Sequence, residues 1–357
     1  MKAPLAALLL LSSGCALLRA PWRPPDLPAA AEHLLARTAD GWDLSVIHYA
    51  PVKPTPFRRP VLLLHGIATN ERNLDFDERH SLARWLAARG LDVYAMSLRA
   101  TGESAGPQLV GPRSFDWDFD SYVTQDLPAA IALVQARSGS PRIDFVGHSL
   151  GGMILYALLA RGGPPAAAIA AAATLGSPAG FRWGPRFTSW ARTAAAAGSH
   201  LPLLSLTAGT LLFLPAISAY PTIAALIFYN PRNMAPSVWE GFLSVGVEDE
   251  SPALAAQAAR WLAEDRLSSR DGKLDYLAGL QTVTTPILVV AGKVDQLGFP
   301  PLVRRGYDAL KGPKRWLLVA EENGASADYG HMDLLLGDRA AQDVFLPVAR
   351  WLEEQAR

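Results

Sequence analysis

The chain has 357 residues, 33 Lys and Arg against 33 Asp and Glu, and half of its residues are hydrophobic. A formal charge of zero leaves no basic excess to track a phosphate backbone, which argues against nucleic acid as a partner. The single cysteine, Cys15, excludes intrachain disulfides and cysteine-based metal knots, so the core of one elaborated domain, or of a domain with a cap, must hold the fold.

Residues 1–20 read as an export leader. Lys2 supplies a short positive region, residues 4–11 an apolar one, and Ser12-Ser13-Gly14 small residues ahead of Cys15. The pattern resembles a bacterial lipoprotein box, in which Cys15 would be lipidated and become the mature N-terminus; Ser12 stands where that family prefers Leu. An ordinary cleaved signal or an uncleaved anchor is the second reading, and a cytosolic N-terminus the third. Residues 21–36, rich in proline at their start, look like a tether. The expectation is an exported protein of the bacterial cell envelope, anchored by lipid.

Asp40-Gly41 marks a turn, and the alternation after it suits a hairpin strand; His33 and His48 read as strand-face or surface residues. Residues 61–64 fit a buried strand that runs into His65-Gly66-Ile67-Ala68-Thr69-Asn70. Gly66 permits a tight turn, which leaves the Ile67 N–H available to a developing oxyanion, and His65 is assigned to holding the loop. Leu82, Trp85 and Leu86 have helical spacing, with His80 at the start and Gly90 at the end. Residues 91–96 are the next strand, followed by a polar turn through Ser104. Tyr122, Leu127, Ile131 and Val134 mark an amphipathic helix over residues 120–137, with Asp126 as a helix-start or structural carboxylate.

Residues 143–146 fit a short buried strand, and Gly152 opens an apolar run suited to a helix. Between them lies Gly147-His148-Ser149-Leu150-Gly151, the G-x-S-x-G pattern in a strand–turn–helix setting. A serine on so sharp a turn needs almost no bulk two residues to either side. The N–H of Leu150, at a helix N-terminus, can face an oxyanion. Ser149 is the expected nucleophile. Residues 166–175 read as an alanine-rich strand with no carboxylate at its end.

Between Thr193 and Pro231 there is no Asp, Glu, Lys or Arg. Residues 201–229 are long enough to span a membrane, but Pro202, Pro215 and Pro221 interrupt them and strong strands flank the region. The favoured reading is a cap over residues 181–275, built of short helices that cover Ser149 and line an acyl pocket. Trp183, Trp190, Phe213, Phe228, Tyr229 and Trp239 are the lining candidates. A surface that also touches membrane is the second reading, and a transmembrane helix the third. Residues 251–267 resume an amphipathic helix, with Glu248-Asp249-Glu250 as its solvated start.

Residues 285–292 form a β-branched strand followed by Asp295. A carboxylate just past a strand can hold an imidazole in one tautomer and stabilise its charged form, so Asp295 is the expected acid. After the last strand, residues 316–320, comes Asp328-Tyr329-Gly330-His331-Met332-Asp333. His331 is the expected general base, and Asp328 and Asp333 are decoys or supporting contacts. Residues 338–355 close the chain as an amphipathic helix.

H-G-I at 65–67, R-A-T-G-E-S at 99–104, G-H-S-L-G-G at 147–152 and the Asp295 and His331 segments together resemble the α/β-hydrolase superfamily, in particular its capped serine esterases and lipases. Ala100 stands where that family usually has glycine. The G-H-M-D-L-L-L-G segment is similar to that of acid lipases. The D-x-x-x-x-P-P spacing from Asp295 is similar to polyhydroxyalkanoate synthase-like proteins, which carry cysteine at the position of Ser149; that difference favours hydrolysis over polymerisation. The resemblance implies an α/β fold: a doubly wound, mostly parallel sheet with its core in residues 37–180 and 276–357, and an inserted, largely helical cap. It implies ester hydrolysis through an acyl-enzyme by Ser149, Asp295 and His331, in the superfamily's order of Ser, Asp, His. The Ile67 and Leu150 amides would form the oxyanion hole, with no metal or organic cofactor. The apolar cap suggests a lipid-like or other apolar ester, and membrane association through the N-terminus and cap. Acyl transfer on the same triad and a membrane-tethered binding protein on the same scaffold are the alternatives.

Overall fold

The computed structural model describes residues 31–53, 59–108, 110–182 and 227–356. Its strands are β1 (Ala31–Arg37), β2 (Asp43–Tyr49), β3 (Val61–Leu64), β4 (Val93–Met96), β5 (Ile143–His148), β6 (Ile169–Leu175), β7 (Ile287–Gly292) and β8 (Lys314–Val319). They form one sheet in the order β1-β2-β4-β3-β5-β6-β7-β8. β1, β2 and β4 pair antiparallel, and every pairing from β4 to β8 is parallel. Seven helices matter below: α1 (Leu82–Ala88), α2 (Leu127–Ser138), α3 (Leu150–Arg161), α4 (Pro236–Val245), α5 (Pro252–Glu264), α6 (Pro300–Ala309) and α7 (Leu346–Gln355).

Every residue of β3, β5 and β7 is buried, as the interior strands of a parallel sheet covered on both faces require. Successive residues point to opposite faces. Leu62, Leu64, Phe145 and Val289 pack with residues of α2, α3, α5 and α6, whereas Val61, Leu63, Val146 and Val290 pack with residues of α1, α4 and α7. Helices therefore cover both faces, and the architecture is the doubly wound, mostly parallel α/β sheet.

Four local expectations are corrected. Residues 31–36 are strand, not tether: β1 pairs with β2 along its whole length, and His33 Nε2 lies 2.8 Å from Ser45 Oγ. Ala36 is the only buried side chain of this edge strand, so no alternation marks it in the sequence. Residues 164–168 form a short helix begun by two prolines, and β6 starts at Ile169. The run over 120–137 is not one regular helix. A π turn, Tyr122–Asp126, precedes α2, where Pro128 offers no N–H to continue the ladder. Finally, Glu250 is not solvated; it is 3 % exposed.

Between β6 and β7 the chain returns to the described residues at 227. No helix among them is long and apolar enough to cross a membrane. Cys15, Trp183, Trp190 and Phe213 lie outside the described residues.

Candidate active site

Ser149 sits between the end of β5 and the start of α3, with φ 53° and ψ −118°. A non-glycine residue avoids this region unless its surroundings over-determine it. The surroundings here are close. A Cβ at Gly147 would lie 2.6 Å from the Gly151 carbonyl carbon, and one at Gly151 would lie 2.6 Å from the Leu64 carbonyl oxygen. The Ser149 N–H donates to the Leu175 carbonyl at 2.8 Å, tying the turn to β6. The N–H of Leu150 is in the first helical turn, where amides have no intrahelical acceptor, and no acceptor for it occurs among the described residues.

Asp295 and His331 lie on the loops that leave β7 and β8. Asp295 is fully buried, and His331 is 3 % exposed. Asp295 Oδ1 accepts from the N–H groups of Leu297 at 2.8 Å and Gly298 at 2.7 Å. Its Oδ2 faces His331 Nδ1 at 2.7 Å. An ionised carboxylate only accepts, so Nδ1 carries the proton and Nε2 the lone pair. A Cβ at Gly176 would lie 3.0 Å from Asp295 Oδ2 and 3.2 Å from His331 Nδ1. Gly176 follows Leu175, whose carbonyl accepts from the Ser149 N–H, so the Asp295–His331 pair and the serine turn meet at the same strand end, and no hydrogen bond joins Ser149 Oγ to His331.

Two more buried histidines surround it. His65 Nε2 accepts from the Leu98 N–H at 3.1 Å, so its proton is on Nδ1, which donates to the Gly66 carbonyl at 2.8 Å. Burial lowers its pKa to about 4; it is neutral and holds its loop. His148 is also neutral, pushed well below the usual range by burial and by the nearby His331. Its Nδ1 lies 2.9 Å from Asn73 Oδ1 and its Nε2 3.2 Å from the His331 carbonyl. A neutral imidazole has one N–H for two such oxygens. The Asn73 amide turned over satisfies both contacts: Nδ2, otherwise without a partner, donates to Nδ1, and Nε2–H donates to the carbonyl.

The loop from His65 to Asn70 passes beside the serine. A Cβ at Gly66 would meet Ser149 Cβ at 3.1 Å and His148 Nδ1 at 3.3 Å. The Ile67 N–H has no acceptor among the described residues, and its side chain is 45 % exposed. Nearby, Arg99 is clamped between Asp126, with Nε to Oδ1 at 2.8 Å, and Asp40, with Nη1 to Oδ2 at 2.7 Å. Ala100 after it takes φ 62°, a left-handed conformation that explains why glycine is the usual residue there.

Asp333, two residues past His331, is a supporting contact of the histidine loop. It is fully buried and accepts from the N–H of Gly330, the N–H of Asn230 and Asn233 Nδ2, at 3.0, 3.2 and 2.9 Å. Burial raises its pKa to about 6, against these donors. It thereby ties the histidine loop to residues 228–233, where the Phe228 carbonyl also accepts from Met332 N–H at 2.8 Å. Asp328 instead accepts from Glu321 N–H at the surface. Of the lining candidates, Trp239 stacks on Phe228 and lies tilted against Tyr229 beside this loop. Sequence reading missed Asn73 and Glu250, and gave His148 no role although it adjoins the serine. Among the described residues, no group of three or more His, Cys, Asp or Glu is arranged to hold a metal ion.

A family model described as the alpha/beta hydrolase fold matches residues 59–338. A poly(3-hydroxyalkanoate) polymerase subunit of Haloferax mediterranei is 25% identical over 330 residues, covering 88% of this chain and 62% of that protein. Triacylglycerol lipase 2 of Arabidopsis thaliana is 33% identical over 110 residues, covering 30% of this chain and 26% of that one. The matches thus span less than two thirds of either relative. The solved structure of a thermophilic esterase from Thermogutta terrifontis superposes with a TM-score of 0.59 at 17% identity, covering 91% of this chain and 100% of the esterase, a likeness of fold.

Proposed function

The chain belongs to the α/β-hydrolase family, and from that premise we propose that it is a serine hydrolase that cleaves carboxylic esters through an acyl-enzyme. One observation carries the reading: a buried Asp295–His331 pair with Oδ2 and Nδ1 2.7 Å apart, in a chain whose Ser149 is held in a strained strand-to-helix turn. In this reading His331 Nε2 takes the Ser149 proton as Oγ attacks the ester carbonyl. Asp295 stabilises the imidazolium through the Nδ1–H bond and keeps its own charge. The N–H groups of Leu150 and Ile67 receive the tetrahedral oxyanion, each contributing about 3 kcal/mol. The imidazolium protonates the leaving alcohol, and water activated by His331 then releases the acid.

Labelling with a fluorophosphonate tests the reading: wild type reacts covalently at Ser149, and Ser149→Ala does not. Absence of label from the wild type, or equal label in both, removes it. The apolar middle segment favours a lipid-like ester, which a chain-length series of chromogenic esters checks; rates highest for acetate and falling steeply would remove the long-acyl preference. Lipid anchoring at Cys15 is a separate proposal, tested by palmitate labelling of wild type and Cys15→Ser.

Acyl transfer on the same residues is the second reading, favoured by the match to a polymerase subunit. Product analysis with added alcohol or hydroxyacyl acceptors distinguishes them: transfer gives a new ester, and hydrolysis gives only the free acid.

A further inference from the structure

The loop that carries Ile67 is held by the chain immediately after α4. Ala68 has φ 53°, a backbone conformation that L side chains rarely adopt. Both of its backbone polar groups are taken by that segment. The Ala68 N–H donates to Glu250 Oε1 at 2.8 Å, and the Ala68 carbonyl accepts from Glu248 N–H at 2.9 Å. Thr69 and Val247 form an antiparallel bridge. Asn70 Nδ2 donates to the Val245 carbonyl at 2.9 Å and to Glu248 Oε1 at 2.6 Å. The loop is thus grafted onto residues 245–250 as a short ladder. The exposed Ile67 side chain provides no apolar anchor of its own.

Glu250 is an unusual acceptor for this position. It is 3 % exposed, and no cation pairs with it among the described residues. Two donors converge on it instead: the Ala68 N–H on Oε1 and the Tyr122 O–H on Oε2 at 3.0 Å. The Tyr122 oxygen in turn accepts from Trp117 Nε1 at 2.9 Å. A carboxyl buried without a countercharge lowers stability, so its presence calls for a task that an apolar side chain cannot do.

We propose that Glu250 is a positioning residue: its carboxyl fixes the Ala68 amide in the left-handed turn and through it aims the Ile67 N–H at the substrate oxyanion. This rests on the reading of Ile67 as an oxyanion donor. The residue touches neither substrate nor Ser149. It acts through one peptide unit, where a misplacement of about 1 Å can cost on the order of a hundredfold in rate.

The test is kcat and KM of the full chain on a p-nitrophenyl ester, per active site titrated with fluorophosphonate, for wild type, Glu250→Met and Glu250→Gln. Methionine fills the volume without an acceptor; glutamine keeps one for Ala68. Glu250→Met is expected to lose about 10- to 100-fold in kcat with KM within about threefold, and Glu250→Gln to stay within about threefold of wild type in kcat. Wild-type kcat in Glu250→Met overturns the proposal, as does an equal loss in Met and Gln, which assigns the effect to the charge. If Glu250→Met does not fold, Glu250→Asp replaces it: its shorter reach is expected to lower kcat about tenfold with KM kept, and an unchanged kcat overturns the role. Failure of the wild type to label removes the parent reading and the role together. A labelled wild type with insensitive Glu250 variants removes the role alone.

Discussion

Both oxygens of the Asp295 carboxylate are engaged. Oδ1 is occupied by two backbone N–H groups and Oδ2 by His331. In Asp295→Asn the amide oxygen must stay with the Leu297 and Gly298 amides, which turns the NH2 group toward His331 Nδ1. The imidazole proton then moves to Nε2, where it cannot accept from Ser149. We expect a loss of about 10⁴ in kcat near neutral pH with little change in the unfolding midpoint, measured by steady-state kinetics and thermal denaturation. Gly66→Ala tests the opposite wall. The new Cβ meets Ser149 Cβ at 3.1 Å and His148 Nδ1 at 3.3 Å, so the loop must retreat from the serine. An ester kcat reduced by about tenfold or more at nearly unchanged KM is expected, and unchanged kinetics would show that the loop yields freely.

At the level of elements, the serine turn depends on how closely α3 approaches β3. In Gly151→Ala the added methyl lies 2.6 Å from the Leu64 carbonyl oxygen and 2.7 Å from that of His65. Both are backbone atoms of a buried strand end and cannot swing away. Denaturant titration should show a loss of about 1–3 kcal/mol, together with reduced fluorophosphonate reactivity; full stability would mean that the helix slides. This close approach was legible in the sequence because the constraint is local: small residues two places either side of a serine, after a strand and before a helix. Asp295 was legible as a carboxylate just past the β-branched strand over residues 285–292, and His331 by its place on the loop after the last strand, completing the order Ser, Asp, His. Glu250 was not. Its acceptor role joins residues 182 apart, and a run of three acidic residues reads as a solvated start until the loop from β3 is laid over it. Likewise, Asp333 stays ambiguous in sequence because its partners Asn230 and Asn233 return from the far side of the middle segment. β1, largely exposed, has no period to read.

For the whole molecule, the antiparallel hairpin, which joins the parallel sheet through the β2–β4 pairing, is also tied to it by a buried cation. Arg99 bridges Asp40 in the turn between β1 and β2 to Asp126 at the start of α2, with its guanidinium 4.9 Å above the Trp42 ring. Arg99→Met leaves Asp126 uncompensated in the interior, and equilibrium unfolding should show a loss of about 3–5 kcal/mol. Glu250 adds a pH dependence. Burial lifts its pKa from the ordinary 4.5 to about 7, so the folded protein keeps a proton that the unfolded chain releases. The stability contributed by that proton is complete below pH 4.5 and is lost as pH rises through 7. Glutamine does not titrate. The unfolding midpoint of Glu250→Gln relative to wild type should therefore shift in the variant's favour between pH 5 and 8, with a ceiling on the order of 3 kcal/mol; a pH-independent difference would contradict it. The strand order has a temporal consequence. Ser149 follows β5, but the side chains that would activate it follow β7 and β8, which are synthesised later. A chain that has emerged only through β6 therefore carries the serine turn without Asp295 or His331, and the proposed chemistry would begin only once β7 and β8 have joined the sheet.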